Sequence, residues 1–128
     1  MKLKYTILYV DDVAASVKFY EDALGLGLKM LHGSGEYAEM ETGETSLSFC
    51  ARSLMTQMGK ETLKANPKTP VSEIAFETDD VPAAYNKAIA NGAKPISEPV
   101  MMPWNQMVSY VADLDGFLIE ICSPILDA

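Results

Sequence analysis

The chain has 128 residues, of which 48% are hydrophobic and 22% are charged, and this composition is typical of one globular domain with a buried core. Its net charge of -8 excludes a basic surface for nucleic-acid phosphates, and no stretch reaches the ~20 apolar residues of a membrane-spanning helix. Cys50 and Cys122 lack Cys-x-x-Cys spacing, and no export signal is recognisable. We therefore expect a cytoplasmic protein with reduced thiols that binds neither nucleic acid nor membranes.

The first elements in chain order are a strand and a helix. Residues 4–10 are rich in aromatic and β-branched types and stop at two aspartates, which predicts a strand. Asp12 is placed to cap a helix that ends near Gly25. The apolar residues between them recur at the spacing of one helical face: Val13, Val17, Tyr20 and Leu24.

Three strand-like runs follow this helix, and the same order then returns. The runs of the first half are residues 28–32, 37–41 and 45–51, and the segment 62–70, with two prolines, reads as a connection. In the second half a strand over 73–78 precedes a helix that Asp80 caps and that stops at Asn91 and Gly92. Further strands are predicted over 94–97, 107–112 and 117–123.

The two halves also share sequence. The segment 11–16 returns 68 residues later at 79–84, and the segment 47–50 returns 72 residues later at 119–122. Such self-similarity indicates a duplicated unit. We predict a single α+β domain over 1–128, built from two β-α-β-β-β modules over 1–61 and 71–126.

Strand periodicity assigns a face to each strand residue. Side chains alternate across a sheet, so Leu47 and Phe49, like Ile119 and Ile121, are expected to face the helices. Four polar side chains then fall on the opposite face at positions that the repeat superposes: Tyr5 on Glu73, and Ser48 on Glu120. We expect these four to meet in a cleft between the paired modules.

Several of these segments together resemble the vicinal oxygen chelate superfamily, which includes glyoxalase, bleomycin-resistance and extradiol dioxygenase-like proteins. The residues that carry the resemblance are Asp12 with Ser16, 19–20, 24–26, 103–104 and 113–120. The resemblance implies that the modules form cupped half-barrels around a ligand cavity. It also implies a homodimer, with the cavity either within one chain or shared between two.

Metal-dependent members of that superfamily usually carry His or Gln on the first strand of each module and Glu on the last. This sequence matches the pattern at Glu120 only, because Tyr5, Ser48 and Glu73 occupy the other three positions. The sole histidine, His32, lies on another strand.

The sequence leaves three interpretations of the two glutamates open. Glu73 and Glu120 are oxygen ligands of the kind that one hard divalent cation accepts. Without a metal, one of the two carboxyl groups would take up a proton and serve as a hydrogen-bond donor or general acid. In the third interpretation both point into water.

Other candidate ligand-binding residues lie outside these four positions. Trp104, Met102 and Met107 are predicted to form an adaptable apolar wall, although core packing or a dimer contact explains them equally well. Arg52 ends the strand of Ser48 and is a candidate for contact with an anionic ligand.

The leading functional hypothesis is a glyoxalase/bleomycin-resistance-like protein that binds a small organic molecule without the standard metal site. The alternative is a divalent-metal-dependent lyase, isomerase or dioxygenase of the same superfamily, with Glu120 and Glu73 as catalytic residues. A module that only binds another protein is the third hypothesis. The substrate and the reaction do not follow from the sequence.

Overall fold

The computed structural model describes residues 1–126; residues 127 and 128, which the predicted domain includes, lie outside this range. The chain folds into two compact units; the first spans Met1–Lys64 and the second starts at Ala65. Each contains one four-stranded sheet and a covering helix. The α+β class and the repeated β-α-β-β-β order are confirmed.

The first unit contains four strands and two helices. The strands are β1 (Tyr5–Val10), β2 (Gly27–Leu31), β3 (Tyr37–Glu41) and β4 (Ser46–Ala51), and the helices are α1 (Val13–Leu24) and the short α2 (Arg52–Gln57). The sheet order is β1-β4-β3-β2, with β1 and β4 parallel and the other pairs antiparallel.

Helix α1 begins and ends where local sequence signals predict. The Asp12 carboxylate accepts a hydrogen bond from the Ala15 amide at 3.0 Å, which satisfies a free donor of the first turn. Gly25 closes the helix in the left-handed conformation, at φ 72°. On the buried face, Tyr20 packs against Phe49 of β4 with ring centroids 4.9 Å apart. The predicted orientation of Phe49 towards the helix is therefore confirmed.

The second unit repeats this arrangement with one helix. Its elements are β5 (Glu73–Glu77), α3 (Val81–Ala90), β6 (Lys94–Met101), β7 (Met107–Ala112) and β8 (Leu118–Cys122), and the sheet order is β5-β8-β7-β6. Ile119 and Ile121 are fully buried, as their predicted orientation towards the helix requires. Asp80 caps α3 by accepting from the Ala83 amide at 3.1 Å. Within residues 1–126 no helix is both long and apolar enough to cross a membrane.

Strand β6 is longer than the sequence predicts. We expected it to stop at Ser97 because Pro99 follows, but the strand continues to Met101. It is an edge strand, and its register against β7 shifts on both sides of Ser97. An edge position with bulges tolerates proline, because a missing amide donor there leaves no broken ladder bond.

A tight turn between β7 and β8 fixes their register. The Asp113 carboxylate accepts from the amides of Asp115 and Phe117, each at 2.9 Å. Gly116 completes the turn at φ 94°. With this turn in place, Tyr110 on β7 lies directly opposite Glu120 on β8.

Candidate functional site

The first sheet has one face covered by α1 and one face that we call the first open face. Strand β1 places Tyr5, Ile7 and Tyr9 there, with exposed fractions of 44%, 45% and 36%. Isolated apolar residues are common on protein surfaces. Here three alternate residues of one strand lie side by side on the same face and form a continuous, mostly apolar stripe. Such a stripe is suited to contact an organic ligand or another protein surface.

Polar groups lie beside this stripe at the centre of the sheet. Ser46 is the strand partner of Tyr5, and Ser48 is the partner of Ile7. Both serines are fully buried. The Tyr37 hydroxyl on β3 lies 3.2 Å from Ser48 Oγ and 3.1 Å from a carboxylate oxygen of Glu39. Ser48 therefore already has a hydrogen-bond partner within its own sheet.

Two groups on this face have raised pKa values. Burial is the main cause of the raised pKa of Tyr37, and the hydrogen bond to Glu39 adds to it because a nearby carboxylate opposes a phenolate. Burial also raises the pKa of the Cys50 thiol. Both groups stay protonated at neutral pH, so neither is an activated nucleophile.

The second sheet carries a carboxylate and phenol cluster on the face away from α3, which we call the second open face. The Tyr110 hydroxyl donates to Glu120 Oε1 at 2.9 Å. Burial, the hydrogen bond with Glu120 and the charges of Glu120 and Glu73 raise the pKa of Tyr110 far above its usual range. The structure thus brings Glu73 and Glu120 together around one neutral phenol.

Cys122 adjoins this cluster. Burial, followed by the influence of the Glu120 carboxylate, raises the pKa of its thiol to about 11. Because the thiolate is the reactive form of cysteine, this environment does not favour nucleophilic chemistry.

The three residues predicted to form an apolar wall have different surroundings. Met107 is the strand partner of Met101, and both line an open pocket of about 320 Å³ beside the start of α3. Met102 lies in the turn after β6 and is half-buried. Trp104 has an exposed fraction of 54%, and its indole nitrogen donates to Gln106 at 2.7 Å.

The guanidinium group of Arg52 forms its hydrogen bonds and an ion pair within the first unit. It donates to the Thr62 hydroxyl at 2.9 Å and to the Thr62 carbonyl at 3.1 Å, and it forms an ion pair with Asp11 at 3.0 Å. The hydrogen bond with Arg52 is the main reason why the pKa of Asp11 is lowered. These bonds tie the segment after α2 to the end of β1.

Metal-dependent members of the superfamily carry imidazole, amide and carboxylate ligands at the four positions described above. This chain has a different set of donor groups there. Tyr5 and Ser48 contribute hydroxyl groups, and Ser48 is already bonded to Tyr37. Among residues 1–126 no group of three or more His, Cys, Asp and Glu side chains is arranged to hold a metal ion. The residues at these positions therefore do not fit the superfamily's usual ligand set, and Glu73 and Glu120 are the two carboxylates that remain.

Sequence reasoning did not select Tyr37 or Tyr110, although both bond to predicted site residues. The strands predicted from the sequence leave a turn over 113–116, which would put Tyr110 opposite Ile119; only the observed turn over 113–117 puts it opposite Glu120. Tyr37 carried no sequence signal. It is the strand partner of Cys50 and reaches Ser48 diagonally.

Comparison with known proteins identifies the family. A model of the glyoxalase/bleomycin resistance protein/dioxygenase superfamily matches residues 2–121. The uncharacterized protein YraH of Bacillus subtilis is 33% identical, with 94% of this chain and 97% of that protein covered. Lactoylglutathione lyase of Haemophilus influenzae is 30% identical, with 94% and 90% covered.

The fold also resembles that of a solved structure. A crystal structure of a glyoxalase/bleomycin resistance protein/dioxygenase family enzyme from Burkholderia phytofirmans superposes with a TM-score of 0.84 at 20% identity, covering 98% of this chain and 100% of that one. The family model over residues 2–121 and the relatives of 30% or greater identity show that the chain belongs to the glyoxalase/bleomycin resistance protein/dioxygenase superfamily.

Proposed function

We propose that the chain binds a small organic molecule on its open sheet faces, without the superfamily's standard metal site. The observation that carries this proposal is the exposed stripe of Tyr5, Ile7 and Tyr9 on the same face as the half-buried Tyr37 hydroxyl and Glu39 carboxylate. Ligand sites in proteins combine apolar walls with a few fixed polar groups, and this face offers both. Glu73, Glu120 and Tyr110 supply further polar groups on the second open face.

Ligand-detected NMR with a panel of flat, uncharged aromatic compounds tests this function. Binding to the wild type is expected, and Ile7→Glu is expected to weaken it at least tenfold because the substitution places a charge in the stripe. Leu63→Glu is the matched control, since Leu63 is also exposed, belongs to the same unit and lies outside the sheet. Equal weakening by both substitutions, or no binding by the wild type, would contradict the proposal.

A second candidate function is that of a divalent-metal-dependent lyase, isomerase or dioxygenase. It is supported by the similarity to lactoylglutathione lyase and by the two carboxylates that meet at Tyr110. Oxygen donors of this kind suit hard cations. Thermal unfolding with added Mn²⁺, Ni²⁺ or Zn²⁺ separates the candidates. Stabilisation of the wild type that is lost in Glu120→Gln supports the metal-dependent enzyme, whereas unchanged curves for both proteins exclude it.

We also propose that the chain forms a homodimer. The outermost strands β2 and β6 carry exposed apolar side chains, among them Leu28, Leu31 and Ile96. Unprotected sheet edges of this kind favour association. Light scattering coupled to size exclusion is expected to give twice the chain mass of 14.0 kDa; a mass of one chain at micromolar concentration would contradict this.

A further inference from the structure

A pocket beside the start of α3 lies on the side of the second sheet that faces this helix. Its volume is about 320 Å³, and Met107 of β7 lines it. Tyr110, three positions further along β7, lies on the second open face. Because side chains alternate along a strand, Met107 lies on the opposite face. The pocket is therefore separate from the sheet faces of the proposed function.

The wall of this pocket is mostly apolar and partly accessible. Met101 has an exposed fraction of 48% and is the strand partner of Met107. The amide and carbonyl of Met107 bond to Ser123, so the pair with Met101 has no backbone hydrogen bonds of its own. Side chains lie closest in pairs of this kind, and the two flexible thioethers form one adaptable surface. The apolar residues that line the pocket are Val81, Pro82, Met101, Met107, Pro124 and Leu126.

Two aspartates give the pocket a negative charge that the described residues do not balance. Asp79 and Asp80 line it, and both are exposed. Asp80 already accepts the capping hydrogen bond from Ala83. Within residues 1–126 the ion pairs all lie in the first unit, and no Lys, Arg or His lines this pocket. The carboxylate of Asp79 is therefore available to a cation, whose approach the net charge of -8 also favours.

We propose that this pocket binds a small organic ammonium ion, with its apolar chain against Met101 and Met107 and its charged group beside Asp79. The carboxylates favour a cation and disfavour an organic anion. The apolar wall favours a cation with a hydrocarbon chain over a metal ion, which requires a shell of oxygen ligands. A volume near the lower end of the ~300–1,000 Å³ of ligand sites limits the chain to a short one.

Three probes separate the contribution of the wall from that of the charge. They are n-hexylammonium, n-hexanol with the same chain and no charge, and ethylammonium with the same charge and a shorter chain. Dissociation constants are measured by NMR titration at low salt. The wild type is expected to bind n-hexylammonium about twofold to fivefold more tightly than n-hexanol, the ratio that one exposed ion pair supplies. Ethylammonium is expected to bind at least about tenfold more weakly, because it removes fewer methylene groups from water.

The methionine methyl groups locate the bound probe. In protein labelled with ¹³C at these groups, the resonances of Met101 and Met107 are expected to shift until the pocket is saturated. Met58 is the internal control, because it is an exposed methionine of the first unit and does not line the pocket. Its resonance is expected to stay in place.

Two variants that each remove one negative charge test the ionic contact. Asp79→Asn is expected to remove most of the preference for n-hexylammonium over n-hexanol and to leave the affinity for n-hexanol unchanged. Glu44→Gln is the matched control, because Glu44 is an exposed carboxylate of the first unit that does not line the pocket. This variant is expected to retain the preference.

Four results would overturn the inference. The first is equal affinity of the wild type for n-hexylammonium and n-hexanol, and the second is a preference that survives in Asp79→Asn. The third is an equal shift of Met58 and the pocket methionines, which indicates non-specific association. The fourth is binding of n-hexylammonium that is lost in Glu73→Gln and retained in Asp79→Asn, which assigns the cation to the second open face. The proposed function is tested with uncharged aromatic compounds and Ile7→Glu, so it stands or fails separately.

Discussion

Replacement of Gly116 by alanine is expected to destabilise the second unit through two separable effects. The first is conformational: Gly116 has φ 94°, and a left-handed backbone costs a residue with a Cβ roughly 1–2 kcal/mol. The second is steric. A Cβ at this position would overlap the carbonyl oxygen of Ala65 and lie 3.1 Å from its carbonyl carbon, so the segment after Lys64 has to move.

The steric effect corresponds to overpacking, which costs about 1–3 kcal/mol. The alanine also restricts the unfolded chain, which returns about 0.4–1 kcal/mol. We therefore expect Gly116→Ala to lower the free energy of unfolding by about 2–4 kcal/mol.

Gly92→Ala isolates the conformational effect. Gly92 belongs to the same unit and has φ 102°, but its nearest neighbour is a flexible Leu114 methyl group at 4.0 Å. The expected loss is about 1 kcal/mol. Urea unfolding followed by Trp104 fluorescence and circular dichroism measures both variants. Equal losses for the two glycines would refute the argument that Ala65 packs against the turn.

Three further predictions concern single side chains. Ser109→Ala is expected to lower the free energy of unfolding by about 1–2 kcal/mol, because the buried Ser109 hydroxyl donates to the Ile121 carbonyl at 2.9 Å. Ser46→Ala is expected to leave this free energy unchanged or to raise it, because the Ser46 hydroxyl has no partner within residues 1–126. A comparable loss for both variants in urea unfolding would show that Ser46 is paired in solution. Asp80→Ala is expected to lower the free energy of unfolding by about 1 kcal/mol, because it deletes the cap of α3. Asp80→Asn preserves a hydrogen-bond acceptor and is expected to retain most of this stability. Calorimetric melting is expected to rank the wild type first, Asp80→Asn second and Asp80→Ala last. The pKa of Cys122 is raised from 9.0 to about 11 in the folded chain, so the unfolded chain loses the thiol proton at a lower pH. The free energy of unfolding is therefore expected to fall as pH rises from 9 to 11. A Cys122→Ser variant with the same dependence of stability on pH would contradict this assignment.

Much of the architecture follows from local rules that the sequence displays directly. Asp12 and Asp80 cap helices because a short carboxylate reaches the free amides of the next turn. The alternation of Leu47 and Phe49 with Ser46 and Ser48 assigns the faces of β4, because neighbouring side chains on a strand point to opposite sides. The repeat and its motifs were sufficient to indicate the superfamily.

The polar contacts of the candidate site required the folded structure. Tyr110 meets Glu120, and Tyr37 meets Ser48, across neighbouring strands. The sequence makes Arg52 a candidate for contact with an anionic ligand, and only the structure shows that Thr62 and Asp11 accept its hydrogen bonds. Helix caps and strand alternation involve residues a few positions apart, so composition and spacing reveal them. Contacts between strands depend on register, which turns and bulges set over many residues, and only the packed sheets decide whether a hydroxyl such as that of Ser46 finds a partner.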